Sequence, residues 1–149
     1  MTWTPHATVA VIVEDHQNRF LVVEERSRGQ VVFNQPAGHV EQDEPILQAA
    51  HRETLEETGW EIELQHFIGL YTYKAPANGV TYYRFCFSAS PVRKATDQLD
   101  DDIIAAHWMT PEAIRNLGDQ LRSPLVLRCI EDYRKGRRFP LDVIVDQQT

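Results

Sequence analysis

Residues 38–60 read Gly38-His39-Val40-Glu41-Gln42-Asp43-Glu44-Pro45-Ile46-Leu47-Gln48-Ala49-Ala50-His51-Arg52-Glu53-Thr54-Leu55-Glu56-Glu57-Thr58-Gly59-Trp60. Glu44 and Pro45 suit a helix start, because proline lacks a donor that would be orphaned there and an acid meets the positive end of the dipole. Gly59 suits the left-handed residue that closes a helix. The pattern predicts one helix of about four turns, roughly 44–58. At about 100° per residue, Ile46, Ala50, Glu53 and Glu57 fall on one stripe, with Ala49 and Glu56 beside it. A solvated helix sets its acids opposite its apolar residues. Here the acids prolong the apolar stripe, which puts them at the edge of buried structure. Carboxylates crowded at such an edge repel one another and hold protons. A hard divalent cation relieves that repulsion, and Mg²⁺ typically shares a few carboxylates with substrate phosphates. Taken alone, the Glu cluster reads more readily as a solvated face, since Arg52 and Glu56 have the spacing of an ordinary surface pair.

The whole chain has 149 residues, 42% hydrophobic and 25% charged, which suits one soluble globular domain over 1–149. A formal net charge of −7 argues against a nucleic-acid polymer or an anionic membrane as partner, since both need a basic face. It also sits awkwardly with an anionic substrate unless metal offsets the local charge. Cys86 and Cys129 do not make a disulfide framework and read as buried thiols. No charged-then-apolar leader opens the chain and no apolar run approaches membrane-spanning length, so the expected compartment is the cytoplasm.

Residues 7–13 are nearly all apolar and β-branched, as in a strand buried on both faces. With a second strand at 20–25 and a polar turn between, 7–25 reads as a hairpin. A short strand at 31–33 leads into Asn34-Gln35-Pro36-Ala37-Gly38 and the helix. Strands at 61–74 and 80–89, with Pro76, Asn78 and Gly79 between them, form a further hairpin. A polar loop over 93–102 ends in Asp100-Asp101-Asp102, and a strand follows at 103–109. Thr110 and Pro111 cap and open a short helix. A last helix spans about 123–135 and stops at Gly136. This order predicts an α/β (α+β) fold in which a mixed sheet carries helices on both faces.

The long spacing is more specific than the Glu cluster. Gly38, five residues, Glu44, seven residues, then Arg52-Glu53-x-x-Glu56-Glu57-x-Gly59 resembles the signature box of the Nudix hydrolases. Thr54 and Trp60 depart from the usual aliphatic positions, which alters packing and leaves the acids in place. The stretch 34–39, Arg122-Ser123-Pro124-Leu125-Val126 and Arg138-Phe139-Pro140-Leu141 look like the NudJ branch of that family. The resemblance implies a Nudix-type α/β/α sandwich with a mixed β-sheet. It also implies Mg²⁺ (Mn²⁺ as a substitute) on Glu53, Glu56 and Glu57, with the Gly38 carbonyl as a further contact. Glu44 and Arg52 match a supporting salt bridge.

A hydrolase of this kind acts on phosphoanhydrides. The proton acceptor is Glu53 or Asp102, the latter six residues before Trp108, where the family often places an auxiliary acid. Asn34, Gln35, His39 and Arg84 are candidate substrate contacts. Arg26, Arg28, Lys74 and Arg122 are weaker ones, and Phe33, Tyr71, Tyr73, Tyr82 and Tyr83 are possible stacking rings. A NudJ-like enzyme would release orthophosphate from nucleoside tri- and diphosphates and from thiamine pyrophosphate or its pyrimidine precursor. Two alternatives stay open: a Nudix hydrolase of ADP-ribose, nucleotide sugars or dinucleoside polyphosphates, and a non-catalytic nucleotide sensor. The partner expected is a small phosphorylated molecule, and the protein a monomer or small homo-oligomer.

Overall fold

The apolar run near the N-terminus becomes an inner strand with both faces covered. In the computed structural model, which describes residues 2–147, β1 (His6–Val13) is wholly buried over its last five residues. The remaining strands are β2 (Phe20–Ser27), β3 (Gln30–Asn34), β4 (Ala37–His39), β5 (Trp60–Lys74), β6 (Thr81–Lys94) and β7 (Ile103–Met109). The helices are α1 (Ile46–Thr58), α2 (Pro111–Arg115) and α3 (Leu125–Arg134). The strands form a mixed four-stranded sheet, β4-β1-β6-β5, and a three-stranded sheet, β3-β2-β7. In the mixed sheet β1 and β6 run parallel, and the other two pairings are antiparallel.

The hairpin expected over 7–25 does not form. Its turn is present, with Asp15 Oδ1 accepting from the N–H groups of Gln17 and Arg19. A single bridge, Glu14 to Phe20, follows before the strands part into different sheets. β1 has β4 on one side and β6 on the other, so no edge of it remains for β2. The β part is accordingly two sheets instead of one. The second hairpin forms as expected, β5 and β6 pairing from Lys74–Thr81 to Trp60–Lys94 with register shifts at Glu61/Ile62, Leu64/His66 and Phe67/Gly69, and its second strand runs beyond residue 89.

Alternation along the strands builds two cores. Val9, Val11, Val13, Leu21 and Phe87 pack with Ala49 and Ala50 of α1. Ile12, Phe20, Val22 and Cys86 face the other way, toward Ile114 of α2 and Cys129 and Ile130 of α3. Helices thus cover both faces of the β layer, as the mixed α+β reading required. Both cysteines are free and buried. They lie against each other across β6 and α3, and burial pushes the Cys86 thiol up.

The helix ends show which signals acted. Gly59 closes α1 at φ 79°, its N–H donating to the Leu55 carbonyl at 2.8 Å. At the start, Pro45 is the extended cap residue and stands outside the first turn; Glu44 lies beyond it, in an ion pair instead of at the dipole. Thr110 caps α2 by accepting from the Ala113 N–H at 3.1 Å. Beyond α3, Phe139 pairs with Phe67 on β5, and Leu141 and Ile144 pack on the α1 core.

Candidate active site

The last two turns of α1 reach the edge of the first core. Glu53 and Glu57 are buried, and Glu56 is half exposed. Thr54, the polar residue at an aliphatic position, is buried on the same helix because its hydroxyl donates to the Ala50 carbonyl at 2.8 Å. Trp60 packs edge-on against Trp108 at 5.6 Å, so the second departure is absorbed by an aromatic pair.

β4 lies against these acids, a strand where the sequence predicts only a loop into the helix. The Ala37 N–H donates to Glu57 Oε1 at 2.8 Å. Gly38 pairs with Val9 of β1, and a Cβ on it would run into the Glu53 carboxyl group. The absence of a side chain here leaves room for the Glu53 carboxyl group, while the Gly38 φ is not in the left-handed region. Arg52 ties the platform to its loop. Nε and Nη2 donate to the two oxygens of Glu44 at 2.6 and 3.0 Å, Nη1 to Glu53 and Glu56 at 2.9 and 2.7 Å, and Nη2 also to the His39 carbonyl at 3.0 Å. Glu44 in turn accepts from the Glu41 N–H, which closes the loop into α1.

The loop before β7 supplies one more acid. The Asp100 N–H donates to the Glu56 carbonyl at 2.9 Å. One carboxylate oxygen from each of Glu53, Glu56 and Asp100 lies within 4.8 Å of the others. Asp102 is exposed and enters this chain's hydrogen bonding through its carbonyl, which accepts from the Arg26 N–H of β2. The acid that joins the glutamates is therefore Asp100, two residues before the one singled out from sequence. Spacing from Trp108 locates the loop but does not tell which of three adjacent aspartates is fastened to the helix.

Burial and crowding raise the proton affinity of these groups. Burial, the charges on Glu25, Glu53 and Asp100 and the loss of water push Glu57 up to about 9, against the Ala37 hydrogen bond. Glu53 is pushed up to about 7, chiefly by burial and partly offset by Arg52. Asp100, exposed overall like Asp102, is raised by partial loss of water around its carboxyl group and by Glu56. Such a set gathers only oxygen donors, with surplus negative charge, around a glycine that leaves room. That donor chemistry fits a hard divalent cation of the Mg²⁺ or Mn²⁺ class.

A cavity of about 570 Å³ opens beside the acids, lined by Gly38, Glu53 and Glu57 together with Asn34, Tyr82 and Arg84. This volume suits a small molecule. Asn34, His39 and Arg84 line it, whereas Gln35 lies just behind, bonded to Arg84 and, through Nε2, to the Val126 carbonyl at 2.7 Å. His39 stands 2.9 Å from the His6 ring nitrogen, and burial with His6 and Arg122 nearby lowers its pKa. Arg28 and Arg122 also line the cavity; Arg26 and Lys74 are not among its described lining residues. Of the rings, Tyr73 and Tyr82 line it. Tyr71 donates to Asp132 at 2.8 Å from the second core, Tyr83 faces Trp3, and Phe33 faces His107. Glu25 escaped the sequence reading altogether: it is buried, lines the cavity and accepts from Arg122. It follows Glu24 in β2, so two adjacent acids give no sign of which one faces the site, and the register shift between them in the pairing with β7 is visible only in the folded chain.

The sequence and the fold both match known proteins. The NUDIX domain family profile matches residues 4–129. The chain is 42% identical over 143 residues to Phosphatase NudJ of Escherichia coli K12, covering 95% of this chain and 92% of that one. A NUDIX hydrolase from Nitrosomonas europaea superposes with a TM-score of 0.93 at 42% identity, over 97% of this chain and 98% of the other. A Caenorhabditis elegans Ap4A hydrolase shares the fold at a TM-score of 0.69 and 19% identity, over 88% and 98% of the two chains. With the acidic platform, its glycine and its supporting arginine lying inside the matched region, the chain belongs to the NUDIX domain family and is a Nudix hydrolase.

Proposed function

We propose that the protein is a Mg²⁺-dependent phosphatase of broad range, with Mn²⁺ as a substitute. It hydrolyses phosphoanhydrides of nucleoside tri- and diphosphates and of thiamine pyrophosphate or its pyrimidine precursor, releasing orthophosphate. The observation that carries this reading is the oxygen-only donor set of Glu53, Glu56 and Asp100 beside a cavity, in a chain 42% identical to a protein named as a phosphatase. Glu53, Glu56, Glu57 and the Gly38 carbonyl would hold the cation, with Asp100 added from the geometry. When bound, the cation neutralises charge on phosphate oxygens and acidifies a water.

The side chains of the protein do the rest. Arg52 and Glu44 hold the carboxylates in place before substrate arrives, so that little reorganisation is left for the reaction. Glu53 takes the proton from the attacking water, since its carboxylate lines the cavity at the cation platform. Asp102, the other acid named from sequence, is exposed, and Asp102→Asn is expected to change turnover by less than about threefold, whereas Glu53→Gln removes about 100-fold or more. Asn34, His39 and Arg84 would line the wall and orient the substrate, with Gln35 holding Arg84 from behind. No helix among the described residues is long and apolar enough to cross a membrane. A cytoplasmic setting and a monomer or small homo-oligomer belong to the same proposal.

The decisive assay is a panel of nucleoside tri- and diphosphates, thiamine pyrophosphate and ADP-ribose with Mg²⁺, with orthophosphate, pyrophosphate and nucleoside monophosphate measured separately. Orthophosphate from nucleotides and thiamine pyrophosphate is the expected result. Exclusive pyrophosphate release, or a monophosphate from ADP-ribose alone, would replace this reading with the other Nudix chemistry.

A further inference from the structure

Arg84 is out of balance with its surroundings. It sits on β6, an inner strand, and only 7% of its surface is exposed. A guanidinium has five N–H donors and no acceptor. Nη2 donates to Asn34 Oδ1 at 3.1 Å and to Gln35 Oε1. Nε is enclosed and meets no acceptor among the described residues. Neither amide carries charge, and no carboxylate lies within 4.0 Å of Arg84 among the described residues, although Arg52 and Arg122 each have one. A buried charge left without a counterion costs stability, so a cation of this kind is retained at such a place for a reason other than folding.

The neighbours sharpen what is missing. Gln35 turns its oxygen to Arg84 and spends an N–H on the Val126 carbonyl. Asn34 also turns its oxygen to Arg84, and amide geometry then leaves Nδ2 on its other side. Both Asn34 and Arg84 line the cavity. The wall therefore holds donors and a positive charge, with its amide acceptors already used.

We propose that Arg84, set by Asn34 and Gln35, is a specificity-determining residue that reads an acceptor-only edge of the substrate at the wall of the cavity. This rests on the reading of the cavity as a phosphoanhydride hydrolase site. The edge can be a pair of phosphate oxygens of the non-reacting part, or a carbonyl oxygen with an unprotonated ring nitrogen, as on guanine or cytosine. Adenine has no carbonyl oxygen and presents an amino donor beside its ring nitrogens, so it fits this wall poorly.

The test is calorimetric binding to the full chain with Mg²⁺, using guanosine, cytidine and adenosine monophosphates and inorganic pyrophosphate as probes. Arg84→Gln is expected to weaken at least one acceptor-bearing probe by about tenfold or more, the loss of a charged hydrogen bond. A loss confined to guanosine and cytidine monophosphates assigns the heterocycle as the source, and an equal loss for pyrophosphate assigns the phosphate. Asn34→Asp provides the second arm, because it gives Arg84 a carboxylate in place of an amide oxygen. It is expected to raise the melting temperature of the ligand-free protein while weakening the same probe, two opposite movements that a purely structural role does not produce. Wild-type affinities in both variants, or a wild type that binds no probe, overturns the proposal. Hydrolysis of nucleotides by the wild type, followed separately, reports on the parent reading, so the two failures are distinguishable.

Discussion

Glu57 concentrates the tension of the site in one side chain. Its burial and three acidic neighbours raise its affinity for a proton to about 9, from an ordinary 4.5. The folded, cation-free protein therefore binds a proton that the unfolded chain has already released between these limits. Stability falls with rising pH wherever the folded state binds more protons. In chelator, the melting temperature is expected to fall from about pH 5 to about pH 9. Glu57→Gln, which cannot ionise, should flatten that slope, and an unchanged slope in the variant would show that another group is responsible. The same variant is expected to lose roughly two orders of magnitude in turnover or more at saturating Mg²⁺ while keeping its circular dichroism spectrum. Wild-type turnover would remove Glu57 from the cation platform. Gly38→Ala acts through space alone: the new methyl group meets the Glu53 carboxyl group. The carboxyl group can swing aside, so the stability cost should be only that of a displaced rotamer, about 0.5–1.5 kcal/mol by urea denaturation, while turnover falls because Glu53 must move.

At the scale of the element, α1 is held between two fixed ends. Gly59 stands at φ 79°, and a Cβ there would also strike the Thr96 carbonyl oxygen. Gly59→Ala is expected to destabilise the protein by about 1–3 kcal/mol, since strain and collision act together. Because the Gly59 carbonyl accepts from the Ala95 N–H at 2.7 Å, the loss should spread to the loop carrying Asp100. Hydrogen exchange at residues 95–100, faster in the variant than in the wild type, checks this. The helix was legible in the sequence, with its stripe, its acids and its closing glycine. Its start shifted to Ile46 because Glu44 gains more from a bidentate pair with Arg52 than from the dipole. β4 was not legible, as three residues cannot display a period.

Across the whole molecule, the two sheets and the helices on either side bring together acids from one segment and donors from several others. Adding Mg²⁺ to the cation-free protein is expected to raise the melting temperature, more at pH 8 than at pH 5, because protons compete with the cation for the same carboxylates. A shift that did not depend on pH would place the cation elsewhere. The sequence by itself determined the acidic stripe, the spacing from Gly38 to Gly59, the longer strands and the buried thiols, since each follows from local periodicity or from a constrained run of residues. Tertiary structure decided what depends on distant segments meeting. It opened the first hairpin because both edges of β1 were taken, chose Asp100 over Asp102 through a bond to the Glu56 carbonyl, and turned Glu25 inward. It also left Arg84 as a buried charge facing amides. Residue type gives the charge, but whether that charge has a partner is settled only by what the other strands and helices bring within reach.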